Sequence, residues 1–282
     1  MKTRMLHRDN NGRTSALPLI FAGMILLPLF AALHCKGEEI TKKDVDSKAG
    51  DLLELTTKNV KWRFHYCPAG AFTMGSPLSE AGRGNDEQLH PVTLSQGFWM
   101  GETEVTQAQW ESIMGNNPSN FKGEKLPVEK VSWDACQEFV KKLNALGAAP
   151  KGYKFSLPTE AQWEYACRSG TTGAYAGDLD KVAWYNSNSG NTTHKVGTKQ
   201  ANAWGLYDMH GNVWEWCNDW YRYYPTGSVT DPIGASSGSD RVYRGGSWFD
   251  FASHCRSAIR LSSAPVHPSY RLGVRVSLVS GQ

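Results

Sequence analysis

Leu157-Pro158-Thr159-Glu160-Ala161-Gln162-Trp163-Glu164-Tyr165-Ala166 carries a helix start in ten residues. The Thr159 hydroxyl can accept from the backbone amide of Gln162, and the Gln162 side chain can reach back to the amide of Thr159. That reciprocal pattern is a capping box. The helix should run to about Arg168, with Gly170 beyond it. The same grammar recurs upstream. Thr106-Gln107-Ala108-Gln109 opens a helix that stops near Gly115, and Ser132 caps another over Trp133–Leu146. In the latter, Trp133, Cys136, Phe139, Val140 and Leu143 fall on one face at helical spacing, and Gly147 ends it.

Around these helices the periodicity changes. Tyr66–Met74 is short and apolar and leads into Gly75-Ser76, as a strand would. Further short strands are expected at Val213–Cys217, Val242–Arg244 and Gly273–Leu278. Ser79–His90, Thr171–Lys199 and Tyr223–Asp240 are polar or rich in Gly, Ser, Asn and Thr, and read as loops. Loops this long inside a compact domain are held by something, such as bound calcium. The expected fold class is therefore α+β, with little regular secondary structure and much ordered loop.

The chain has 282 residues and a formal net charge of +3. That balance excludes the strong basic face a nucleic-acid partner would require. Lys2, Arg4, Arg8 and Arg13 precede the uncharged apolar run Ala16–Leu33, so residues 1–34 read as an export signal. Cys35 follows at once, in Ala32-Leu33-His34-Cys35, which resembles a bacterial lipobox whose cysteine is lipid-modified. Lipid anchoring, plain secretion and an uncleaved anchor each place the remainder outside the cytoplasm, in the cell envelope or at its outer surface. Residues 35–59 are polar and lack aromatics, as a tether would, and 60–282 carry all the tryptophans and tyrosines. After Cys35, the cysteines at 67, 136, 167, 217 and 255 form no CxxC and no cysteine–histidine zinc spacing. They read as buried thiols, with one or two disulfides as the alternative. His90, His194 and His210 are scattered and read as packing or surface groups. Trp214, Trp216 and Trp220 read as core. No nucleophile elbow, HExxH, P-loop or dinucleotide fingerprint occurs.

Taken in order, several motifs add up. They are Ala71-Phe72-Thr73-Met74-Gly75-Ser76, then Glu87 and His90, Glu102–Val105, Pro127-Val128, and Val131-Ser132-Trp133. The 157–166 stretch follows, then Gly205-Leu206-Tyr207-Asp208-Met209-His210-Gly211-Asn212-Val213-Trp214-Glu215-Trp216 and Arg241-Val242-Tyr243-Arg244-Gly245-Gly246-Ser247-Trp248. Over residues 66–278 this resembles the formylglycine-generating enzyme, or sulfatase-modifying factor, family. The resemblance implies a C-type-lectin-like fold. It also implies oxidation of a sulfatase cysteine by oxygen and copper(I) held by two cysteines. The first of those cysteines sits two residues after the aromatic of the Gly-Gly-Ser-aromatic motif, and the second five further on. Here those places hold Asp250 and Cys255. A carboxylate is a hard donor and a poor seat for a soft ion, so the resemblance argues against copper. The family's calcium would be held by the side chains of Asp208 and Glu215 and the carbonyls of Gly211 and Val213. The alternative pairs Glu215 with a buried arginine and leaves Asp208 holding a turn.

The C-terminal stretch Phe249–Arg271 bears on function. One group of non-catalytic relatives is diversified here by retroelements that rewrite adenines. From an asparagine AAC codon, that process cannot reach Lys, Glu, Gln, Met or Trp. Phe249–Arg271 contains none of these, whereas the chain elsewhere holds 17 Lys, 14 Glu, 8 Gln, 7 Met and 11 Trp. The diversified, ligand-contacting places would be Phe249, Asp250, Phe251, Ser253, His254, Ile259, Leu261, Ser262, Ser263, Ala264, Val266, His267, Ser269 and Tyr270. Cys255, Arg256, Ser257, Ala258 and Arg260 would be scaffold. Aromatic and small polar residues suit adaptable contact with a protein or glycan. The expectation is a lipid-anchored binding protein. Its alternatives are a formylglycine-generating oxidase and a structural protein with an ordinary surface loop.

Overall fold

The computed structural model describes residues 47–281. The expected export signal, Cys35 and the first half of the expected tether, residues 35–46, lie outside the described residues. The tether's end is not a tether. β1 (Leu52–Thr57) pairs antiparallel with β2 (Val60–Cys67) across Lys58 and Asn59. Both of those residues have positive φ, the backbone that a two-residue hairpin turn demands. Leu53 and Leu55 pack on the core while Leu52, Glu54 and Thr56 face outward. The domain thus starts near Leu52, earlier than composition suggested, because alternate leucines bury a strand that is otherwise polar.

The remaining elements follow in chain order: β3 (Gly70–Met74), β4 (His90–Leu94), β5 (Phe98–Gly101), α1 (Gln107–Met114), α2 (Trp133–Ala145), β6 (Tyr153–Ser156), α3 (Glu160–Arg168), α4 (Leu179–Val182) and β7 (Trp214–Trp220). After them come β8 (Val229–Thr230), β9 (Arg241–Arg244), β10 (Leu261–Ser263), β11 (Leu272–Gly273) and β12 (Ser277–Ser280). Thr106 and Thr159 close the expected capping boxes with Gln109 and Gln162, and Ser132 caps α2. Ser169, in left-handed conformation, ends α3. The expected strand at 66–74 is two strands, broken at Pro68 and Ala69, and the one at 273–278 is likewise two.

Three sheets are formed, with strand orders β1-β2-β5-β12-β6, β10-β9-β7-β11 and β3-β4-β8. One core lies where the five-stranded sheet meets α1 and α2. There Trp110 stacks on Phe139 at 4.8 Å, beside Phe64, Leu143 and Phe155. A second core gathers Met74, Phe98, Met100, Trp163 and Met209 against α3. With few helices and curled sheets, the architecture is C-type-lectin-like. The long 171–199 loop is held by the turn at 208–212 rather than by secondary structure. Asn212 exchanges hydrogen bonds with both backbone groups of His194, and Asp208 accepts from the Gly197 amide. The 223–240 loop is tied down where β8 joins β4 in parallel.

Candidate ligand-binding face

The C-terminal segment begins at the Gly245-Gly246 turn. Gly246 has φ +81°, and a Cβ there would lie 2.6 Å from Cys255 Sγ, so only glycine lets the chain fold back on itself at this point. The next side chain inward is Trp248, which is buried. Phe121, Phe249 and Tyr270 pack around it with ring centroids 5.2, 5.3 and 5.9 Å away. The Arg271 guanidinium lies 5.3 Å from the Phe249 ring and pairs with Asp250 at 3.2 Å. Exposed above this platform are Phe249 (45%), Phe251 (68%), Val266 (62%) and Tyr270 (45%), with His267. Four of the ten large hydrophobic side chains exposed among the described residues therefore come from one short segment. Such a concentration of apolar surface makes the segment a candidate interaction site.

Between these exposed stretches the segment dives. Cys255, Arg256, Ser257, Ala258, Ile259 and Arg260 are all buried. Arg256 binds Glu87 with two nitrogens, each at 2.7 Å, and Glu80 at 2.6 Å. Arg260 grips Glu160 with Nε at 2.7 Å and a terminal nitrogen at 2.6 Å. Arg244 joins Glu160 to Glu164 at 2.7 and 2.6 Å. Burial pushes the Glu160 carboxyl up, but the charges of Arg260 and Arg244 outweigh it and hold it below the usual carboxylate range. Sequence reasoning missed this lattice. Its signal was present in Glu160 and Glu164, two acids four apart within an otherwise buried helix, which require buried cations elsewhere.

The expected contact residues thus divide. Phe249, Phe251, Val266, His267 and Tyr270 are exposed. Ser253, His254, Leu261, Ser262, Ser263, Ala264 and Ser269 are half-buried, and 261–263 pair with β9. Ile259 is withdrawn from the contact set. It is 8% exposed and packs in the main core, because its neighbours on both sides are drawn inward. Asp250 is a brace. Its Oδ2 accepts from Trp214 Nε1 at 2.8 Å and from Ser247 Oγ, and its Oδ1 accepts from Arg271.

Asp250 occupies the place where the family's first copper cysteine would stand. Burial and the Asp250 charge push the Cys255 thiol up, which keeps it protonated. Cys67, Cys136, Cys167 and Cys217 are likewise buried and unpaired, and burial pushes Cys167 to about 12. His210 is a packing group. Its Nδ1 donates to the Cys255 carbonyl, its Nε2 accepts from the Ala176 amide, and burial lowers it to about 4. The Trp214 and Trp216 rings are core as expected, whereas Trp220 is half-buried beside Arg241.

Of the expected calcium donors Asp208, Gly211, Val213 and Glu215, the Glu215 side chain is already committed to other partners. Both Glu215 oxygens accept from Arg275 at 2.7–3.0 Å, and Oε2 also accepts from Trp163 Nε1 at 2.6 Å. Gly211 passes so close to Trp184 that a Cβ would lie 2.2 Å from its carbonyl oxygen. Asp208 holds a left-handed turn at φ 58°. It keeps one buried oxygen without a donor, beside Glu104. Burial pushes Asp208 to about 6, and burial plus the Asp208 charge pushes Glu104 well above the carboxylate range. Among the described residues no cluster of three or more His, Cys, Asp or Glu could hold a metal ion.

The sulfatase-modifying factor enzyme 1-like domain matches residues 56–278. The chain belongs to this family. Chaperone protein LppX of Paenibacillus barcinonensis is 34% identical over 56% of this chain and 71% of its own length. The formylglycine-generating enzyme of Streptomyces coelicolor is 34% identical over 61% and 58%. Among solved structures, Treponema denticola variable protein 1 superposes with a TM-score of 0.74 at 34% identity, covering 80% of this chain and 98% of that one. PvdO from Pseudomonas aeruginosa gives 0.71 at 25% identity, over 82% and 99%.

Proposed function

We propose that this member of the family is a non-catalytic binding protein, exported and lipid-anchored through Cys35. Its Phe249–Arg271 segment is varied by a retroelement and contacts a protein or glycan. The observation that carries the reading is the split within that segment. Arg256, Arg260 and Cys255 are locked inside, while Phe249, Phe251, Val266, His267 and Tyr270 stand outside on that base. Exposed side chains on a fixed frame can change without unfolding the domain. The likeness to the Treponema variable protein supports the same reading.

Sequencing the gene's neighbourhood in several isolates tests it. A near-copy of the 249–271 coding segment, with adenines at the differing places and a reverse transcriptase gene nearby, is the expected result. An invariant segment with neither companion would remove the diversification. The likeness to formylglycine-generating enzymes favours a second reading, an oxidase that retains Cys255. Its test is incubation with copper(I), oxygen and a cysteine-bearing sulfatase peptide. A peptide mass matching formylglycine would establish catalysis and overturn the binding-only role.

A further inference from the structure

A cavity of about 310 Å³ lies beneath the 223–235 loop and is lined by none of the exposed residues of the 249–271 segment. That volume is at the lower end for small-molecule sites, roughly 300–1,000 Å³. Val229, Pro232 and Ile233 supply apolar wall from the loop, and Met74 and Ala161 supply it from below. Ile233, 71% exposed, stands at the edge.

One wall carries Asp219, which is 4% exposed. Its Oδ2 accepts from the Glu160 amide at 2.8 Å. Among the described residues its Oδ1 has no donor and the carboxyl has no ion-pair partner. The cations nearby are engaged elsewhere: Arg260 with Glu160, Arg244 with Glu160 and Glu164, Arg241 with the Asn218 carbonyl, and Arg222 with the carbonyls of Tyr221 and Ser237. Burial and the Glu160 charge push the Asp219 carboxyl up to about 7. The loop crosses this carboxyl at Gly234 (φ +75°), where a Cβ would lie 3.0 Å from Oδ1 and 2.8 Å from the Asp219 Cβ.

We infer that this cavity binds a primary alkylammonium group, whose nitrogen donates to Asp219 Oδ1 while its aliphatic stem lies along Val229, Pro232 and Ile233. A buried carboxylate without a partner is costly, and a ligand bringing its own positive charge removes that cost. Two other cation classes fit poorly. A guanidinium wants two carboxylate oxygens, and Oδ2 is already taken. A quaternary ammonium wants open aromatic faces. Here Tyr224 is covered by Arg260 at 4.0 Å and Trp220 by Arg241 at 3.4 Å, which leaves the single ring of Tyr223 at the rim and no aromatic cage.

Titration calorimetry on the full chain tests the inference with n-pentylammonium, 1-pentanol and pentyltrimethylammonium at neutral pH. The expected result is n-pentylammonium binding at least about tenfold tighter than either analogue, with Asp219→Asn abolishing the difference. Equal affinity for the amine and the alcohol, or no binding of the amine at about 10 mM, overturns the site. Undiminished amine binding by a folded Asp219→Asn variant does the same. Should that variant fail to fold, the amine-to-alcohol ratio on the unaltered protein decides alone. A lysine-bearing tripeptide with blocked ends then separates the sources. Tighter binding than the free amine points to a lysine on a partner protein, and weaker binding to a small amine; either supports the site. Failure here leaves the proposed role of residues 249–271 standing.

Discussion

Two stretches of one segment obey opposite rules. Residues 249–251 and 266–270 put phenyl, isopropyl, imidazole and phenol groups into solvent, whereas residues 255–260 put two guanidinium groups and an isoleucine out of its reach. Apolar groups outside and charges inside invert the usual distribution. The difference shows that the charges do structural work, through carboxylates fixed on distant parts of the chain, and that the apolar groups of this segment are left free to face solvent.

The strongest way to break the comparison is Arg260→Ala. It leaves Glu160 with Arg244 as its one cation beside the Tyr224 hydroxyl, and removing one partner of a buried pair costs about 3–5 kcal/mol. Urea unfolding should show that loss; a change below about 1 kcal/mol would mean that the lattice is not what holds the segment. Ile259→Ala comes next, at about 2–4 kcal/mol by the same measurement, because it opens a hole in the main core. A value near zero would return Ile259 to the surface group.

Acid sharpens the contrast further. Burial raises Glu87, but hydrogen bonds from Arg256, Ser76 and Gly84 outweigh it and hold its carboxyl below the usual carboxylate range. A depressed folded value means that the native state binds fewer protons than the unfolded chain. Its stabilising effect is therefore present above the usual carboxylate range and is lost as pH falls through the lowered value. Between about pH 5 and pH 3 the urea midpoint should fall, and Arg256→Gln should flatten that slope. The smallest effect is expected at the exposed positions. Phe251→Ser and Val266→Ser should each change stability by no more than about 0.5 kcal/mol while weakening capture of the ligand.

Local signals were legible wherever a side chain acts on its own backbone. Thr106 with Gln109, and Thr159 with Gln162, announced two helix starts because capping needs only residues three apart. β1 was hidden because its leucines alternate within a polar stretch and only β2 shows what they bury. Asp250 is expected among the contact residues, but both of its oxygens are engaged within the fold. Its work as a brace needs Trp214 and Arg271, residues that chain order does not bring together. Ile259 was misplaced because a codon rule says which residues can arise and nothing about which way they face. Arg256 and Glu87 lie 169 residues apart, so their pairing could not be read before the fold was known.

The five sequestered sulfurs have a practical consequence. Among the described residues no covalent bridge joins them, so the urea midpoint of the domain should be the same with and without a thiol reductant. A maleimide dye would then keep time on global opening, silent for as long as the interior stays shut.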